Sequence, residues 1–550
     1  MFVRTQRFSP HEFEAIFASF WVYVLLGRVK MSEFTITREP EVAARQTYDL
    51  IAVGGGVYGV ALVLEAARRG LRPLLLERGD FGGATSYHSL RIVHGGFRYL
   101  QTLDLPRFYE SVGERRWFLQ TFPELVKPLE CLMPLYGRGI RQPPILCTAL
   151  RVNDFLSWDR NRGVREDRHL KDGKVVSPEW VRERFPQVDA EGLQGGAVWY
   201  DACMPDSQRL IVGMLRWGCG LGATALNYVE AQSLVQSEGG VSGVVASDVL
   251  TGEVYEYRAN TVINAAGPWC RELGQRWDRD VPELFHSSIA WNVLFDRPTL
   301  SEAALAVEPK KPGAQTYFLH PWKGRLLAGT IHDPWTKDIA DVPMPSPQRI
   351  AEFIDDLNSA IPDLALTEAE VLRVFSGLLP AKVSGSNELA KREVLFDHGA
   401  TGGLQGLYSI SGVKFTTARL VAEKTLLMTF PHKALLKDQG VAMPPLAAST
   451  RQGLFDYDWY PDPQDPTWKV DLARLVAEEA VSHLDDLILR RTSLGDNPKR
   501  AIAIAPMLCG LWDWDEVRCQ QEIDRVRQYY ELRQPNVGRT EILHESQQPA

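Results

Sequence analysis

Seven cysteines in 550 residues, with no C-x-x-C pair among them, leave little material for a zinc or iron–sulfur site. Cys131, Cys147, Cys203, Cys219, Cys270, Cys509 and Cys519 are scattered. That pattern predicts reduced, mostly buried thiols in a cytosolic compartment, and no metal. Positive charge is also short. Lys and Arg number 61 against 69 Asp and Glu, for a net charge of -8, which argues against a nucleic-acid partner. A run long enough to cross a membrane is missing. Ala15 to Gly27 is apolar but falls below the ~20 residues of a span. Arg4 and Arg7 precede it, yet no A-x-A-type cleavage site follows. Met31-Ser32-Glu33 then opens a polar lead. Residues 1–45 are therefore expected to be an N-terminal extension, with translation starting at Met31. A membrane-interface role for its Phe/Trp/Leu face is the second reading. Repeats and low-complexity tracts are absent, so solenoids are excluded.

What is present is glycine in one informative arrangement. Gly54-Gly55-Gly56-Val57-Tyr58-Gly59 follows the apolar run Leu50-Ile51-Ala52-Val53 and opens a helical stretch that closes at Gly70. A second apolar run, Leu74-Leu75-Leu76, ends on Glu77. Strand, G-x-G-x-x-G turn, helix, strand and an acid about twenty residues on make a full dinucleotide fingerprint. Gly54 permits the tight turn, Gly56 lets backbone approach a pyrophosphate, and Gly59 lets helix and sheet pack closely. The helix N-terminus offers free N–H groups to phosphates, and Glu77 can accept from ribose hydroxyls.

The chain is too long for one core, and its 45% hydrophobic and 24% charged residues are those of a globular protein. The expected class is α/β: a Rossmann-type nucleotide-binding domain with an interleaved α+β substrate domain and a C-terminal helical domain. Residues 46–430 are read as one region, with nucleotide-binding parts at about 46–115, 197–275 and 404–430 and a substrate domain at about 116–196 and 276–403. After the proline-rich turn Pro461 to Pro466, residues to 535 are dense in Ala, Leu, Arg and Glu at helical spacing. A helical domain is thus expected over 450–535, followed by a tail at 536–550.

A second chemical segment follows Glu77. It reads Ala84-Thr85-Ser86, then His94-Gly95-Gly96-Phe97-Arg98-Tyr99-Leu100. Later come Val262-Ile263-Asn264-Ala265-Ala266-Gly267-Pro268-Trp269, Ser411-Gly412-Val413-Lys414-Phe415-Thr416-Thr417, and Asp485-Asp486-Leu487-Ile488-Leu489-Arg490-Arg491-Thr492. In this order the chain resembles the FAD-dependent glycerol-3-phosphate dehydrogenases, within the D-amino-acid-oxidase-like flavoproteins, over residues 46–535.

The resemblance implies FAD, held without a covalent bond at His88, and hydride transfer from a secondary alcohol to the flavin. His94 is the candidate base for the hydroxyl proton. Arg98 and Lys414 match positions that hold a substrate phosphate, Arg392 matches a further substrate-site Arg, and Tyr99 can orient the hydroxyl. Gly54, Gly56, Gly59, Glu77, Thr85, Ser86, Ala266, Gly267, Gly412 and Thr416 are the expected cofactor contacts. The implied acceptor is a quinone or another electron carrier. A cytoplasmic protein with peripheral contact at the inner face of a membrane is expected, and a homodimer stays open.

Two departures touch the substrate pocket. The family's S-G-x-R-P reads Ser376-Gly377-Leu378-Leu379-Pro380, so Leu379 stands where a cation is usual, and Lys382 is the candidate replacement. Ser288 to Asn292 stands where a His is frequent, with His286 nearby. Leu379 and Trp291 suggest a larger or less charged substrate. The alternatives are an oxidase or dehydrogenase of another hydroxy or amino compound, or a flavin-binding protein without turnover.

Overall fold

The computed structural model describes residues 34–137, 139–311, 313–431, 453–462 and 467–533. The apolar run Ala15 to Gly27, the start at Met31 and the tail at 536–550 lie outside them.

The fingerprint folds as its pattern demands. The strand Leu50–Val53 is buried on both faces. It pairs in parallel with Pro73–Leu76 on one side and Val262–Asn264 on the other. The sheet continues in parallel to Leu407–Ser411 and to Thr224–Leu226, and closes with the antiparallel edge strand Val394–Asp397. Runs of apolar residues without alternation are what a doubly covered parallel sheet requires. The helix Val57–Arg68 covers it and is buried from Val57 to Ala67 except at Tyr58. It packs between Ser207–Gly220 and Ala418–Thr429.

A nine-stranded mixed sheet forms the second layer. Its floor is three antiparallel strands, Val371–Pro380, Ser287–Pro298 and Arg325–Pro334. The strand Gly195–Cys203 also joins this sheet, paired with Lys127–Leu135. Residues 197–203, expected with the nucleotide-binding part, thus pair in the second sheet. The reason is long-range pairing that local pattern does not encode. Trp291 is fully buried, its ring edge-on to Phe353 at 5.5 Å, and its indole N–H donates to Asp333 Oδ2 at 2.8 Å. The ring packs in the sheet's core, and Trp291 also stands among the residues that line a large cavity.

Helices Thr467–Glu478, Pro498–Leu508 and Glu516–Glu531 make up most of the described C-terminal part. The Asp485 to Thr492 segment joins it to the nucleotide-binding sheet through buried charge. Asp80 accepts from Arg490 Nε at 2.5 Å and from both terminal nitrogens of Arg491 at 2.9 and 2.8 Å. Glu479 accepts from Arg209 at 2.7 and 2.6 Å and from Arg216 at 2.7 Å. Burial opposes ionisation of these carboxyls, but the arginines outweigh it and hold both at about 2. One expectation fails here. Cys509 and Cys519 form a disulfide with Cα atoms 5.8 Å apart. The turn between the last two helices brings them together. The other five cysteines are free thiols.

Candidate functional site

A cavity of about 1510 Å³ runs from the fingerprint turn to the floor of the second sheet. It exceeds the ~300–1,000 Å³ of an ordinary ligand pocket, enough for a long cofactor and a substrate together. Its nucleotide end is built from close backbone approaches. Gly54 has φ +111°, and a Cβ there would lie 2.6 Å from Ala265 O. A Cβ on Gly59 would overlap Gly54 O, so Gly59 serves the helix–strand contact beneath the cavity. Ser86 Oγ accepts from Val57 N at 3.0 Å and caps the fingerprint helix from a distant loop. Thr85 lines the cavity, but its hydroxyl donates to Leu378 O at 2.9 Å and ties this loop to the second sheet. Glu77 accepts from Gly55 N at 2.5 Å and Gly79 N at 2.8 Å. Each oxygen keeps a lone pair for a ribose hydroxyl, and burial raises the carboxyl's pKa despite those bonds. Gly56, Ala266, Gly267, Gly412 and Thr416 line the same space. At Gly412 a side chain would run into Tyr58. The Tyr58 hydroxyl bridges the Lys414 backbone, donating to O at 2.7 Å and accepting from N at 2.9 Å.

The other end is chemical. His94, half exposed, places Nδ1 3.8 Å from Asp201 Oδ2. Asp201 sits on the Gly195–Cys203 strand, buried, and accepts from Gly95 N at 2.6 Å, Arg115 Nη1 at 2.7 Å and Trp199 Nε1 at 3.3 Å. Burial opposes its charge, but His94 and Arg115 outweigh that and keep it far below the usual carboxylate range. Gly96 turns the chain at φ +83°, and a side chain on Gly95 would strike the Arg115 guanidinium. The two glycines after His94 thus let the turn close onto Asp201.

Arg98, Tyr99 and Lys414 line the cavity with His94. Lys414 Nζ stands 4.1 Å from the Tyr99 ring centroid. Burial, then the charge of Arg98, lowers its pKa to about 8. Neither Arg98 nor Lys414 has a carboxylate within ion-pair distance among the described residues. The Tyr99 hydroxyl accepts from Arg107 Nη2 at 3.4 Å.

Two expected substrate cations fall elsewhere. Arg392 is outside the cavity lining, bound to Glu110 at 3.2 Å and near Asp104 at 3.8 Å. Lys391 beside it does line the cavity. Lys382 is exposed and outside the lining residues, and pairs at 3.2 Å with Glu388, which lines the cavity as Leu379 does. Asp201 and His332 escaped the sequence reading. His88 lines the cavity, buried, with neither ring nitrogen hydrogen-bonded, and burial followed by the Arg533 charge drives it neutral. The buried trio His483, Asp485 and Glu522 lies within metal-ligand reach. Its carboxylates already carry Arg518, Arg525 and Arg490, which marks it as an ion network.

The FAD dependent oxidoreductase family matches residues 49–426. A glycerol-3-phosphate dehydrogenase of Synechocystis sp. is 32% identical over 68% of this chain and 69% of its own length. A mitochondrial glycerol-3-phosphate dehydrogenase of Bos taurus is 27% identical over 88% of this chain and 74% of its own. The solved glycerol-3-phosphate dehydrogenase of Bacillus halodurans, complexed with FAD, superposes with a TM-score of 0.64 at 20% identity, covering 90% of this chain and 96% of that one. The glycine cradle, the acid at the second strand's end and the family match agree: the chain belongs to the FAD dependent oxidoreductase family, an enzyme whose relatives are glycerol-3-phosphate dehydrogenases.

Proposed function

We propose that this enzyme oxidises the secondary hydroxyl of sn-glycerol 3-phosphate to give dihydroxyacetone phosphate. The observation that carries the reading is the pair Arg98 and Lys414, which face the cavity without a carboxylate beside the His94–Asp201 couple. Lys414, partly buried, holds its charge at a cost that an anion would relieve. Gly54, Gly56, Glu77, Ser86, Ala266, Gly267 and Gly412 would hold the cofactor. Bound FAD supplies the hydride acceptor. His94 takes the hydroxyl proton, and Asp201 opposite Nδ1 steadies the imidazolium that results. Arg98 and Lys414 bind the phosphate, and Tyr99 shields Lys414 from water.

In the same reading residues 46–430 form the oxidoreductase region and 450–535 a helical domain. Electrons leave to a quinone, from a cytoplasmic protein in peripheral contact with the inner face of a membrane. No helix among the described residues is long and apolar enough to cross a membrane. A second reading, a different hydroxy or amino substrate, is favoured by Leu379 in the cavity wall.

The test is anaerobic addition of glycerol 3-phosphate to the purified flavoprotein. Loss of the oxidised-flavin absorbance supports the first reading. A spectrum unchanged by glycerol 3-phosphate refutes it and turns attention to the second.

A further inference from the structure

The three strands that floor the cavity bring one overlooked side chain to the substrate end. In their register Gly377 lies opposite Ala290, and Ala290 lies opposite His332. Residues in such a row share a face, and all three line the cavity. Gly377 and Ala290 offer no polar side-chain atom, so the imidazole of His332 is the row's single hydrogen-bonding group. The next row, Leu379, Ser288 and Pro334, cannot take its place. Leu379 is apolar, and the Ser288 hydroxyl is spent on Asp333 O at 3.0 Å.

His332 itself is uncommitted. Its Nδ1 is buried without a hydrogen-bond partner, an arrangement that costs free energy until a ligand supplies one. Burial and then the positive charge of Arg98 lower its pKa to about 4. At neutral pH the ring therefore has one donor and one acceptor nitrogen and adds no charge to the cation pair. Arg98, His94 and Lys414 line the same cavity, and the Arg98 charge acts on the His332 ring.

We propose that His332 is a specificity-determining residue that hydrogen-bonds the terminal, non-reacting hydroxyl of a short polyol phosphate. The inference rests on the reading of Arg98, Lys414 and His94 given under Proposed function. Each polar group of the substrate then has its own partner: the phosphate Arg98 and Lys414, the reacting hydroxyl His94, and the terminal hydroxyl His332. A site built to bond a hydroxyl discriminates strongly against an analogue that lacks it.

The experiment compares glycerol 3-phosphate with 2-hydroxypropyl phosphate, which keeps the phosphate and the reacting alcohol but lacks the terminal hydroxyl. Both are assayed with the FAD-loaded wild type and with His332→Leu and His332→Asn, each variant first checked for flavin absorbance. Wild type is expected to prefer glycerol 3-phosphate in kcat/KM by about 100-fold or more. His332→Leu should lose that preference by slowing glycerol 3-phosphate alone, and His332→Asn should keep part of it. An equal loss on both substrates, or a preference untouched in both variants, overturns the proposal. A wild type that oxidises neither compound refutes the underlying reading, an outcome distinct from either.

Discussion

Lys414 carries a charge that the folded protein holds at a cost, and replacing it with Met should expose that cost. Its pKa falls from 10.5 to about 8 through burial and the Arg98 charge. At 1.36 kcal/mol per unit, the charged side chain destabilises the substrate-free protein by about 3 kcal/mol at neutral pH. The sign follows from proton counting. Between pH 8 and 10.5 the unfolded chain holds a proton that the folded one has lost, so this contribution to stability rises with pH there. Below 8 the penalty is constant. Lys414→Met keeps the stem that packs near Tyr99 and removes the charge. The FAD-loaded, substrate-free variant should therefore melt higher than wild type at pH 7, with the gap closing as pH passes from 8 towards 10.5. Affinity for glycerol 3-phosphate should fall at least 100-fold, because the dianion loses one of its two cations. The assays are thermal denaturation across that pH range and a KM determination at pH 7. A variant that melts lower than wild type at pH 7, or one whose KM is unchanged, refutes the assignment of Lys414 as a strained cation held for an anion.

Two further outcomes follow from the same electrostatics. Asp201→Asn removes the charge opposite His94 Nδ1 while keeping an acceptor for Gly95 N and Arg115. It should lower kcat by about 10²-fold with flavin absorbance intact, within the ~10²–10⁴ that a positioned base contributes, and an unchanged kcat would remove Asp201 from the mechanism. Asp80, held at about 2 by Arg491 and Arg490 against the opposing effect of burial, contributes stability above pH 4 that disappears as pH falls towards 2. The amount is about 2.5 kcal/mol for a shift of that size. Asp80→Asn should flatten that part of the acid-denaturation profile, and an unaltered profile would contradict the pairing.

The nucleotide end was legible because its core constraints are local, although Gly54 also packs on Ala265 and Gly412 on Tyr58. The turn, helix and second strand lie within about thirty residues, and each glycine answers to backbone a few positions away or to one neighbouring strand. The chemical end was only half legible. His94, Arg98 and Lys414 stand in short motifs and do meet in the cavity. Asp201 lies on a strand whose place in the second sheet comes from pairing with Lys127–Leu135, and nothing in the run Trp199-Tyr200-Asp201 announces it. His332 is set by a cross-strand register with a bulge at Trp291/Asn292, which no periodicity reveals. Arg392 shows the converse failure. It sits one residue from a cavity-lining position, but an exposed loop aims it at Glu110 and Asp104, and motif matching does not carry side-chain direction.

The pairing of Asp80 with Arg491 spans 411 positions, and that separation bears on how the protein comes off the ribosome. At ~5–20 residues per second, roughly 20–80 s pass between the synthesis of Asp80 and that of its partner. Arg209 and Arg216 likewise wait for Glu479. Throughout that interval the nascent nucleotide-binding half holds Asp80, Arg209 and Arg216, charges destined for burial, without their C-terminal partners, and it cannot close dry. Completion of the chain, more than any earlier step, then sets when the cofactor site can form. A premature stop before residue 479 would release a product that chaperones hold and proteases clear, even though all of its glycine fingerprint has been made.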